Sequence, residues 1–132
     1  MKWLRNIVDG YILDANYICR YLLADQQEQF VTAKDLIDNY KCSVKYEILE
    51  EVVYVLERLY QIPRNEIKTS LISILDRANI HIKSRDVVNS SLIAYSDRPK
   101  LDFVDCLLYG YYKSGYKVAT FDRKLQKKLN IV

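Results

Sequence analysis

YILDANYICRYLL, residues 11–23, changes its period in the middle. Tyr11, Ile12 and Leu13 form a short apolar run of the kind that makes a buried strand, and it ends on Asp14. From Ala15 to Ala24 the apolar residues instead recur at helical spacing, with Ile18, Tyr21 and Leu22 on one face. A strand that turns into a helix at an aspartate, with Asn16 two residues on, is the opening half of a β-α unit. In such folds ligands bind where the carboxyl ends of the strands emerge. Asp14 and Asn16 are therefore the first candidates for a site.

The same alternation runs outward from this junction. Residues 30–40 predict a second helix with Thr32 as its cap, and residues 41–44 a brief strand. Residues 45–60 form the most periodic stretch of the chain, a helix with Ile48, Val52, Val55, Leu56 and Leu59 as its core stripe, ending before Pro63. A further helix opens at Arg64 or Asn65, with Ile67, Leu71, Ile74 and Leu75 facing inward. Residues 78–82 predict a short strand, 86–95 a helix, and 101–113 another that stops near Gly115. Residues 117–120 predict a last strand, and 123–129 a basic final helix. Alternating strands and helices with short connections imply an α/β fold, a central parallel β-sheet flanked by helices, within a single domain over residues 1–132.

Composition limits the function classes. The chain has 132 residues, half of them apolar, with three glycines and two prolines, enough for one core and too little for two. Its apolar runs fall far short of the ~18 residues that span a bilayer, so no membrane helix is expected. The leading residues carry Lys2 and Arg5, but Asp9 and Gly10 break the apolar segment that a signal peptide requires. Three widely spaced cysteines, Cys19, Cys42 and Cys106, read as reduced buried thiols of a cytoplasmic protein. The net charge is only +3, yet if several acids gather in one cleft the remaining surface is more positive still and suits a polyanion. His81 has no Ser or Cys partner in a recognisable motif and reads as structural, and Lys124, Lys127 and Lys128 read as a solvated helix face.

The acids carry the chemistry. In LDFVDCLLYG, residues 101–110, Asp102 and Asp105 stand one helical turn apart, with Asp105 beside Leu101 and Leu108. Asp14 and Asp122 each follow a strand candidate, which places both at one sheet edge. On the 45–60 helix, Glu50 falls opposite the expected stripe, and Glu51 falls beside Ile48 and Val55, which makes Glu51 the half-buried acid. If Asp14, Glu51, Asp105 and Asp122 meet, their repulsion calls for a divalent cation. With one histidine and no paired cysteines the ligand set is all oxygen, which suits Mg²⁺ or Mn²⁺ better than zinc. A hard cation on carboxylates beside a basic surface is equipment for phosphodiester hydrolysis. A plainer reading stays open for each acid: Asp14, Asp102 and Asp122 are also placed to cap the helices that follow them.

YILDANYICRYLL, YEILEEVVYVLERLY, LDFVDCLLYG and KVATFDRKL, in that order and spacing, closely resemble the four acidic motifs of PIN domains, particularly those of VapC-type toxins. The resemblance covers the chain from Tyr11 onward. It implies a PIN-like fold and a Mg²⁺- or Mn²⁺-dependent ribonuclease, commonly a homodimer and often neutralised by a small antitoxin. The motif acids fall on Asp14, Glu51, Asp105 and Asp122, as metal ligands and catalytic residues, with Asn16 and Thr120 in supporting places. Asp102 is less regular as a ligand in the family and often serves there as a helix cap. The alternative is a PIN-like module that binds nucleic acid or a protein partner without turnover. The residues before Tyr11 are longer than the family's usual lead-in and have no role assigned.

Overall fold

Among the described residues, three two-residue strands, aligned in parallel, organise the chain between Tyr11 and His81. In the computed structural model, which describes residues 10–129, β1 (Tyr11–Ile12), β2 (Cys42–Ser43) and β3 (Ile80–His81) lie side by side in chain order. Tyr11 pairs with Cys42 and Cys42 with Ile80. The ladder extends past the strand ends: Tyr11 N donates to Lys41 O at 2.8 Å, Leu13 N to Ser43 O at 3.0 Å, and Val44 N to His81 O at 2.9 Å. Gly10 allows this approach, since a Cβ there would stand 2.5 Å from the Lys41 carbonyl oxygen. The segment before Gly10 and the last three residues lie outside the described residues.

Among the described residues seven α-helices follow or separate the strands: α1 (Ala15–Leu23), α2 (Gln27–Asn39), α3 (Tyr46–Tyr54), α4 (Arg64–Leu75), α5 (Arg85–Asp97), α6 (Phe103–Lys113) and α7 (Arg123–Leu129). The described chain forms two compact units. One runs to Gln61 and includes Ser73–Lys83; the other holds Ile62–Ile72 and the described residues from Ser84. In the first, α1 packs on α2 and α3, and Ile18, Ile37, Leu49, Val52 and Leu56 are buried almost completely. In the second, α5 packs along α6, α6 contacts α7, and Leu92, Tyr95, Leu101, Cys106 and Leu125 are fully buried. All three cysteines are buried free thiols. No described helix is long and apolar enough to cross a membrane.

Three expectations need correction. The 45–60 helix is regular only to Tyr54; Val55–Leu59 widens into a π turn, and Tyr60 N donates to Val55 O at 3.2 Å. The buried stripe is Leu49, Val52, Val53 and Leu56, while Leu59 is 67 % exposed. That stripe turns Glu51 outward, and it is an exposed residue rather than a half-buried one. Residues 117–120 form no strand. Thr32 lies inside α2, its hydroxyl donating to Glu28 O at 3.1 Å, and the helix begins earlier, at Gln27.

Candidate active site

Asp14 stands where β1 gives way to α1, in extended conformation. Its Oδ1 accepts the Tyr17 amide at 3.1 Å, satisfying a helix N–H that has no intrahelical partner. That bond also orients the carboxylate at the positive end of the helix, where an anion is favoured. Asn16, in the first turn, is exposed and borders a cleft of about 310 Å³ with Tyr17, Arg20 and Glu28. Glu51 projects from α3, which packs on α1. Both Asp14 and Glu51 bear on the Cys19 thiol: burial pushes it up to about 11, Arg20 pulls it down, and the Glu51, Asp14 and Asp25 carboxylates add to the rise.

The second unit carries the remaining acids. Asp102 caps α6, its Oδ1 accepting the Asp105 amide at 2.8 Å. Asp122 caps α7, with Oδ1 accepting the Leu125 amide at 3.0 Å, while its own N–H donates to Thr120 Oγ1 at 3.0 Å. Thr120 thus fixes the backbone that presents Asp122. Asp105 lies one turn inside α6 and is half-buried. Burial raises its pKa above the ordinary carboxylate range, and the charges of Asp102 and then Asp122 raise it further. Asp105 therefore feels the charges of both Asp102 and Asp122, each of which is held by a helix amide.

Sequence reasoning missed Arg64. Its Nη1 donates to the carbonyls of Leu101 at 2.7 Å, Tyr95 at 3.0 Å and Arg98 at 3.4 Å, and the guanidinium lies 4.2 Å from the Tyr95 ring centroid. One side chain thereby ties down the end of α5 and the turn that delivers Asp102. No periodicity announces it, because the acceptors are main-chain groups that any sequence possesses.

The sequence profile of the PIN domain matches residues 11–129. The chain belongs to the PIN domain family. No curated protein and no solved structure matches it. PIN domains are generally nucleases and typically use divalent metals. In this PIN domain the candidate donors are carboxylate oxygens, which fit a hard cation such as Mg²⁺ or Mn²⁺. Each capping aspartate commits Oδ1 to a helix amide, and a carboxylate's other oxygen remains a competent ligand. Among the described residues no three His, Cys, Asp or Glu side chains are grouped closely enough to hold a metal ion.

Proposed function

We propose that this PIN domain is a Mg²⁺- or Mn²⁺-dependent endoribonuclease of the VapC type, the toxin of a cytoplasmic toxin–antitoxin pair, acting as a homodimer and neutralised by a small antitoxin. Asp14, Glu51, Asp105 and Asp122 are its metal-holding and catalytic carboxylates, with Asn16, Asp102 and Thr120 in support. The observation that carries the reading is the set of four family motifs within the matched segment, each with its acid intact.

A bound divalent cation supplies Lewis acidity and charge compensation to the phosphodiester. The chain's own part is to hold charge in place. Helix amides fix Asp14 and Asp122 at helix starts, so these carboxylates need little reorganisation to meet a ligand. Asp105, destabilised as an anion by burial and by its acidic neighbours, gains from an added positive charge.

The second reading is a PIN-like module that binds nucleic acid or a protein partner without turnover. Cleavage of single-stranded RNA, with and without millimolar Mg²⁺ or Mn²⁺, decides between the two. The nuclease reading requires metal-dependent cleavage that Asp105→Asn abolishes. The same variant should melt higher than the wild type at pH 7. The folded state binds the Asp105 proton more tightly than the unfolded chain does, so ionisation costs wild-type stability as pH rises past the unfolded pKa. Metal-independent RNA binding with no cleavage under any metal would establish the module instead.

A further inference from the structure

The surface that follows α6 combines two chemistries. From Tyr111 to Lys128 the chain carries six cations, Lys113, Lys117, Arg123, Lys124, Lys127 and Lys128, against the single carboxylate of Asp122. All six are exposed. Interleaved with them are rings turned to solvent: Tyr112, Tyr116 at 57 % exposure, and Phe121, which is completely exposed. Tyr112, Lys113, Tyr116 and Lys117 border an open cleft of about 700 Å³. Arg85 and Asp86, which line a second hollow that Tyr116 also borders, are of opposite charge and leave the positive balance unchanged.

This surface is held in shape. Gly115 takes φ +99° at the turn, and Tyr116 N donates back to Tyr111 O at 3.0 Å. The half-buried Tyr111 ring meets Tyr116 edge to face, 5.3 Å between centroids at 88°, which sets the orientation of the exposed ring. A fully exposed phenylalanine gains nothing from folding. Exposed rings among cations, one of them held in orientation by Tyr111, offer stacking to a base and charge to its phosphates, and a base can stack on a protein ring only when it is unpaired.

We infer that residues 112–124 form a track for single-stranded nucleic acid, on which Tyr112, Tyr116 and Phe121 stack unpaired bases and Lys113, Lys117, Arg123 and Lys124 meet the phosphates. The track leads into Asp122, the cap of α7. Its assignment to RNA rests on the proposed function, whose substrate it specifies as single-stranded. The binding itself needs neither metal nor cleavage.

The test is fluorescence anisotropy with a labelled single-stranded RNA of about 12 nucleotides and a duplex of the same length, in chelator so that no cleavage intervenes. The single strand binds at least tenfold tighter than the duplex. Four phosphate contacts give a slope of log K against log salt near about −3, and Lys117→Ala makes it shallower by about 0.7. Tyr116→Ala and Phe121→Ala each weaken binding about 5- to 150-fold, and Phe121→Trp restores it. Thermal melts of the same variants, all at exposed positions, establish that each is folded. No binding, equal binding of duplex and single strand, or unchanged affinity in both ring variants overturns the track. Chelator-insensitive binding that obeys these rules, joined to a failure of metal-dependent cleavage, keeps the track and removes the nuclease. Cleavage that survives with both ring variants binding normally does the reverse.

Discussion

Replacing Gly110 with alanine tests how closely α5 and α6 must approach. A Cβ built at Gly110 would stand 2.2 Å from Ser91 Oγ and 2.5 Å from the Val87 carbonyl oxygen. The serine is fully buried and its hydroxyl donates to that same carbonyl at 2.6 Å. A rotamer change can move the hydroxyl, but the carbonyl moves only with the α5 backbone. The helices must therefore separate by several tenths of an ångström along a buried seam. Overpacking of this kind costs about 1–3 kcal/mol, and disturbing the Ser91–Val87 bond adds about 1 kcal/mol. Alanine's better helix propensity returns about 1 kcal/mol. The expected net loss is about 2 kcal/mol, read as a fall of roughly 6–10 °C in melting temperature or as a lower urea midpoint. Because α6 also carries Asp105, nuclease activity should fall with the stability. Pairing the change with Ser91→Ala should recover only part of the loss, since the Val87 carbonyl remains. A Gly110→Ala protein as stable as wild type, or more stable by the propensity gain, would refute the close approach. Complete rescue by Ser91→Ala would show that the hydroxyl alone sets the spacing.

Three further outcomes follow from side chains already placed. Asp102→Asn keeps a competent cap and should retain most cleavage and stability, whereas Asp102→Ala should cost ~1 kcal/mol in a denaturant melt; an Asp102→Asn protein as inactive as Asp105→Asn would make Asp102 a ligand rather than a cap. Arg64→Leu strips the Tyr95, Arg98 and Leu101 carbonyls of a charged donor and should cost roughly 2–3 kcal/mol, with earlier hydrogen exchange at the start of α6 as the local readout. Asp38 accepts from Lys34 and Arg77, which hold its pKa below the ordinary carboxylate range, so its contribution is present above about pH 4 and is lost as pH falls through the lowered value; Asp38→Asn should melt lower than wild type at pH 7, and the two should converge in acid.

What the sequence made legible is local. The β1–α1 junction could be read because an apolar run ending in an acid before helical spacing encodes strand, cap and helix in adjacent residues. The caps at Asp14, Asp102 and Asp122 and the α4 stripe of Ile67, Leu71, Ile74 and Leu75, all buried, follow from the same proximity. The misreadings came where a local rule was carried past its range. A strict 3.6 period run through Val55 misses the π turn and so puts Leu59 in the core, while Glu51, which precedes that turn, is misplaced because the stripe is centred on Ile48 and Val55 instead of Leu49, Val52, Val53 and Leu56. Residues 117–120 have strand-like composition, but a strand exists only through a pairing partner, which no local pattern supplies. Arg64 was invisible for a related reason, since its three partners are carbonyls more than thirty residues away. For the candidate site, the residue types and their capping roles are legible, whereas a common meeting point for the acids rests on placements at strand ends and stripe margins, and two of those placements, the strand before Asp122 and the half-buried Glu51, are not found in the structure.

The burial of the thiols bears on how this protein can be handled. Burial raises Cys42, pushes Cys19 up to about 11 and pushes Cys106 up to about 12. At neutral pH all three stay in the unreactive thiol form, away from solvent. The native chain is therefore a silent background for maleimide chemistry. A cysteine introduced at exposed Lys124 would be the one group to take up a fluorophore or spin label, and no native residue need be removed first.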